Sequence, residues 1–209
     1  MPDRPRWAKP RVNATTVRAF IGYGAMAAIA VTIALVLRDG PAWEHPAPWI
    51  ALKKPAAVAL SAALGCVLSL VVVGATRVVV ARFSWGRRLH RDLRPMARDL
   101  STGHIFLLAG LSSLGEELLF RGLLTPAIGV GMSAALFGLA HQIAGPSRWV
   151  WVGWAMVIGV GLGAIFTATG SLLGALLAHA IMNTVNLAYL RDHEPHGEAD
   201  ETEAVGGAP

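Results

Sequence analysis

Charge is what this sequence has least of. Only 15% of its 209 residues are Asp, Glu, Lys or Arg, against about a quarter in an ordinary soluble domain, so a globule solvated on every face is excluded. Cysteine occurs once, as Cys66, which rules out an internal disulfide. Its surroundings, ALGCVLSLVVVG, hold no base that would activate a thiol, and it is expected to be a small buried apolar residue. The H-E-x-x-H spacing of soluble zinc proteases is missing. GVGLG at 159–163 follows no strand and lies inside an apolar run. It is therefore read as helix packing, with Gly159 and Gly163 a small-xxx-small pair, and not as a nucleotide loop.

What is abundant is hydrocarbon. Hydrophobic residues make up 54% of the chain and the mean hydropathy is +0.52. Apolar runs cover 18–37, 56–81, 102–126, 128–143, 149–169 and 170–190, separated in the second half by Pro126, AGPSR and TATGS. About 20 residues are needed to cross a bilayer upright, so the run at 128–143 is expected to be tilted, re-entrant or packed wholly against its neighbours. The expected fold class is all-α: a polytopic transmembrane helical bundle of about six membrane segments. The first run is an anchor and not a cleaved signal, being long and followed by the charged turn RDGP.

Three regions follow: a basic cytoplasmic tail over 1–17, a transmembrane domain over 18–190, and an acidic, Gly-rich tail over 191–209 expected to be disordered. Trp43 and Trp49 suit a headgroup belt. Arg87, Arg88, Arg91, Arg94 and Arg98 fall on a short amphipathic interfacial helix, read as a solvated basic face. The net charge of +5 and pI near 10.1 reflect these membrane flanks, so no nucleic-acid partner is expected. Basic residues concentrate in the N-terminal tail and at 82–98, opposed only by Arg38, Lys53 and Lys54. Both termini are therefore expected on the cytoplasmic side of a bacterial inner membrane.

Of the 13 acidic residues only Glu116 and Glu117 lie inside an apolar run, and of the 7 histidines only His141 and His179 lie in later runs away from obvious loops. A charge near mid-bilayer costs about 2.5–3.5 kcal/mol on insertion scales, so GEELLFRG at 115–122 needs partners or a task for each of its charges. Glu117 and Arg121 are four apart and can pair on one helix face, whereas Glu116 points about 100° away and is left to face a polar cavity. His179 and Asn183 share a face, with Asn186 near it, and Phe137 and His141 repeat the four-residue spacing. A carboxylate can activate water, imidazoles can hold it, and an amide can donate to an oxyanion, a set suited to peptide hydrolysis.

The ordered set Glu116-Glu117-x-x-x-Arg121, Phe137-x-x-x-His141 and His179-x-x-x-Asn183 resembles the CAAX protease and bacteriocin-processing family of intramembrane proteases, also called the Abi family. The resemblance spans roughly 100–190. It implies an endopeptidase with its site inside a helical membrane core, Glu116 as the base, His141 and His179 positioning water or substrate, and Asn183 completing the oxyanion site. Glu117, Arg121 and Phe137 are implied to be supportive. The partners implied are the lipid bilayer and a membrane-anchored protein or peptide, with C-terminal processing or sorting as a narrower reading. Prenyl specificity is not carried over.

No cofactor is expected. In a metal-dependent variant of the mechanism, Glu116, His141 and His179 would be the ligands of a divalent ion such as zinc. Two other classes compete. A proton-coupled transporter would also use intramembrane acids and histidines, but calls for inverted repeats that are not visible. An inactive immunity or binding protein should have lost at least one motif residue.

Overall fold

A computed structural model of the chain describes residues 14–38 and 40–195. Residues 1–13, with Arg4, Arg6, Lys9 and Arg11, and residues 196–209, with His196 and most of the acidic tail, lie outside the described residues. The elements are α1 (Ala14–Leu37), α2 (Lys54–Arg82), α3 (Ser84–Leu93), a short 3₁₀ turn, α4 (Thr102–Glu116), a π-helical segment (Glu117–Leu124), α5 (Thr125–Ala140), α6 (Arg148–Thr169) and α7 (Leu173–Asp192). The fold is an all-α bundle. Five helical stretches are long and apolar enough to cross a membrane, 102–140 counting as one. Large side chains such as Ile21, Leu70 and Val157 are more than 60% exposed on its outside, as expected of a surface that meets lipid.

Contacts between distant residues sort the ends of the helices onto two faces. On one, the Arg191 guanidinium reaches the Leu100 carbonyl and Thr102, His90 bonds to the His193 carbonyl, and Arg94 pairs with Glu194. This face carries α3. On the other, the loop 40–53 lies along the α6–α7 turn, with Trp49 N–H donating to the Thr167 carbonyl and Leu172 N–H to the Trp43 carbonyl. Residues 191–195, at the head of the expected tail, thus sit against α3 and the start of α4.

α3 has the amphipathic form expected of it: Leu89, His90 and Leu93 are buried while Arg88 and Arg91 are exposed. Cys66 departs from expectation. It is exposed on α2, because the outward face of a spanning helix meets hydrocarbon, where a small thiol is as acceptable as in a core. α2 and α7 approach so closely that a Cβ on Gly174 would stand 1.9 Å from the Ser61 carbonyl oxygen, and one on Gly65 2.1 Å from that of Gly174.

The expected break at Pro126 falls elsewhere. Pro126 sits in the first turn of α5, and the chain turns at Gly129, whose φ of 81° belongs to the left-handed region open to glycine. Proline removes one backbone donor. The nearby Gly122 carbonyl is instead taken by the Arg38 guanidinium, which also donates to the Glu44 carbonyl. Past Gly129 the helix runs only to Ala140, about 16 Å at 1.5 Å per residue, and stops midway through the bundle. The irregular stretch 141–147 then climbs to the α3 face, where Gly145 nears Asp92. The six expected segments are therefore five crossing helices and one half-helix.

Candidate active site

Glu116 closes α4 and Glu117 opens the π segment, a form of helix that often marks functional positions. Glu117 is fully buried. Its Oε1 accepts from Arg121 Nη1 at 2.8 Å and from His179 Nδ1 at 2.7 Å. Arg121, 1% exposed, also reaches the Gly159 carbonyl at 3.4 Å and lies with its guanidinium carbon 4.2 Å from the centre of the Phe137 ring, a cation–π arrangement. The pairing expected from the i, i+4 spacing is present. The Gly159–Gly163 pair also packs as expected: a Cβ on either would meet Ala134 or Val130 of the half-helix at 3.0–3.2 Å.

Phe137 stands at the centre of this group, edge-on to Phe120 at 5.1 Å, beside His141 at 4.4 Å and edge-on to His179 at 5.7 Å. The Phe120 carbonyl accepts from the hydroxyls of Thr125 and Ser133, at 2.9 and 2.8 Å. These bonds tie the half-helix to the π segment, so that His141, at the end of the half-helix, arrives level with Glu116.

His141 Nδ1 donates to the Phe137 carbonyl at 2.7 Å. Since a carbonyl and an ionised carboxylate only accept, both imidazoles carry hydrogen on Nδ1 and turn Nε2 the other way. Both Nε2 atoms face Glu116 Oε2, at 3.6 Å from His141 and 3.8 Å from His179. Glu116 is buried, and its Oε2 has no hydrogen-bond partner among the described residues. In neutral rings three acceptors thus converge on one gap, too far apart for direct hydrogen bonds and suited to a bridging donor such as water.

No group of three or more His, Cys, Asp or Glu side chains among the described residues is arranged to hold a metal ion. Asn183 Nδ2 donates to Ser112 Oγ at 3.2 Å, one helical turn before Glu116. Asn186 is directed away from the site, accepting from Arg77 at 3.1 Å.

The motif-bearing half of the chain also has relatives. Residues 99–185 match the model of the Rce1-like family, described as type II CAAX prenyl endopeptidase Rce1-like. The match covers less than half of the chain. The Rce1-like segment takes in Glu116, Glu117, Arg121, Phe137, His141, His179 and Asn183, and leaves α1, α2 and α3 outside. The chain is also 31% identical over 108 residues to the uncharacterized protein YpbD of Bacillus subtilis, covering 48% of this chain and 57% of that protein. The match therefore spans little more than half of that relative's length. No solved structure matches.

Two residues beside the Rce1-like motifs went unread in the sequence. Ser112 is the hydroxyl that Asn183 engages, and its spacing of four before Glu116 was a usable signal. Tyr23, on α1, packs on Gly115, the residue before Glu116. Its only mark in the sequence is a phenol in mid-span, where tyrosine prefers the interface.

Proposed function

We propose that this protein is an intramembrane endopeptidase that hydrolyses a peptide bond of a membrane-anchored protein or peptide with water activated by Glu116. The observation that carries the reading is the convergence of two oriented imidazole Nε2 atoms on the buried Glu116 Oε2. The Rce1-like match supports the reaction class.

A water in that gap donates one hydrogen to Oε2 and the other to one of the two imidazole Nε2 atoms. As its oxygen bonds to the scissile carbonyl carbon, the proton passes to Glu116, and negative charge develops on the former carbonyl oxygen. Asn183, with one amide hydrogen given to Ser112, has a second for that oxyanion. Collapse of the tetrahedral intermediate breaks the C–N bond, and Glu116 returns its proton to the leaving amine. Glu117 takes no part in proton transfer. It neutralises Arg121 and fixes the His179 ring. No step is routed through a metal ion, and activity is expected to survive chelation.

Glu116→Gln tests the reading directly, since the amide is nearly isosteric but cannot take a proton from water. Turnover of a quenched peptide by the detergent-solubilised variant is expected to vanish while its melting temperature stays at the wild-type value. Retained turnover removes Glu116 from the mechanism. Comparing membrane and secreted proteomes with and without the protein identifies the substrate, and a truncated anchor in the presence of the enzyme is the expected signature of C-terminal processing.

A further inference from the structure

α1 lies outside the Rce1-like segment, yet it makes one of the closest helix approaches in the bundle, and makes it beside Glu116. A Cβ on Gly115 would stand 2.8 Å from the Tyr23 carbonyl oxygen and 3.3 Å from the Tyr23 Cβ. The residue before Glu116 is thus a glycine at the point where α1 crosses α4. The approach sets the half-buried Tyr23 beside Glu116. Below this crossing Ala30 and Ala34 of α1 are buried with Leu118 and Phe166, which fixes the rotation of α1 about its axis. The two histidines face Oε2 of the same carboxylate. A phenol supplies what the histidines lack: an O–H donor that neither an imidazole lone pair nor the Glu117–Arg121 pair provides.

We propose that Tyr23 is a positioning residue for Glu116, so that the first span completes the active site from outside the Rce1-like segment. Its hydroxyl donates to the Glu116 carboxylate and holds the group in the orientation that presents Oε2 to His141, His179 and the attacking water. The inference rests on the assignment of Glu116 as the base. A carboxylate with one charge-assisted hydrogen bond of this kind loses a rotational freedom that it would otherwise have to give up in each turnover.

The chain contains only two tyrosines, Tyr23 and Tyr189, so labelling the whole protein with 3-fluorotyrosine gives two ¹⁹F resonances, assigned with Tyr23→Phe. Tyr189 serves as an internal control, its ring lying 3.5 Å from the Arg77 guanidinium carbon and away from Glu116. Glu116→Gln is expected to move the Tyr23 resonance and leave that of Tyr189 in place. In the unlabelled protein, Tyr23→Phe keeps the ring packing and is expected to lower kcat about tenfold, with KM within about twofold and no change in melting temperature, the size of effect of one charge-assisted hydrogen bond. A Tyr23 resonance unmoved by Glu116→Gln overturns the contact. Wild-type kcat in Tyr23→Phe, or a loss of activity matched by a loss of thermal stability, overturns the positioning role. These failures are separable from that of the proposed function: full turnover in Glu116→Gln removes the base itself, whereas an inactive Glu116→Gln beside a fully active Tyr23→Phe removes only the part given to Tyr23.

Discussion

Replacing Glu117 by glutamine leaves the shape of the site almost unchanged and removes one charge, and the structure indicates what that charge does. Glu117 is 0% exposed and Arg121 1%, so the guanidinium has no solvent to turn to. Its other partners are the Gly159 carbonyl at 3.4 Å and the Phe137 ring, neither of which carries a formal charge. Taking one partner from a buried ion pair costs about 3–5 kcal/mol. The amide oxygen can still accept from Arg121 and His179, so the lower end, about 3 kcal/mol, is expected. Melting curves in detergent, with equilibrium unfolding in SDS, measure it. Glu117→Gln combined with Arg121→Met is expected to recover part of the loss, because no uncompensated charge then remains. Glu117 Oε2 has no hydrogen-bond partner among the described residues, so an amide NH₂ placed there would also lack an acceptor, which adds to the cost. Wild-type stability together with abolished turnover would refute the division of labour between the two acids and make Glu117 the reacting group.

Asn183→Ala is expected to reduce kcat by about 10² to 10³ with little change in KM, and Asn183→Asp to be at least as harmful, since a carboxylate repels the oxyanion; lost stability with normal kcat on the quenched peptide would take Asn183 off the catalytic side. Gly174→Ala forces a Cβ to within 1.9 Å of the Ser61 carbonyl oxygen, while a Cβ at Gly74 meets nothing within 4 Å; the first is expected to cost about 1–3 kcal/mol of stability and Gly74→Ala to match the wild type in the same melt. His90 is held below the usual imidazole range chiefly by burial, and further by the neighbouring His193, Arg94 and Arg77, with its hydrogen bond to the His193 carbonyl acting the other way. Its unfolded form therefore takes up a proton first as pH falls: the stability it contributes is complete above about pH 6.5 and declines below it. Amide exchange at the α3–α7 junction is expected to rise on acidification, and His90→Asn to remove that part of the pH response.

The site was legible in the sequence to the extent that charge is costly in hydrocarbon. Glu116, Glu117 and Arg121 stand out because almost nothing around them is polar, and the Glu117–Arg121 pair follows from a spacing of four. The bends were less legible. Pro126 reads as a break, but a proline in the first turn of a helix gives up a donor that can be replaced from elsewhere, here by Arg38 on another element. Gly129 makes the turn, and no local rule distinguishes it from Gly131 two residues later. Cys66 was misplaced because the alternation of inside and outside that marks a soluble helix is absent from α2, where both faces are apolar. Tyr23 could not be reached from its own span, since the part proposed for it depends on a helix more than ninety residues away in sequence.

The adjacency of the two acids has a consequence for how the site can work. A single buried carboxylate beside Arg121 would be fully engaged by the guanidinium and could not serve as a base. Two carboxylates on consecutive residues diverge, so the second absorbs both the Arg121 charge and the His179 Nδ1 hydrogen, and the first is left with an oxygen that no hydrogen-bond donor among the described residues engages. His179 joins them, donating to one carboxylate through Nδ1 and facing the other through Nε2. The pair Glu117–Arg121 thus orients the imidazole that faces Glu116 without drawing on Glu116 itself. A structural ion-pair cluster would have no reason to leave a buried carboxylate oxygen unpartnered in an apolar span, where doing so is costly. That asymmetry favours catalysis over a purely structural role, and under the proposed function the reactive atom is Glu116 Oε2.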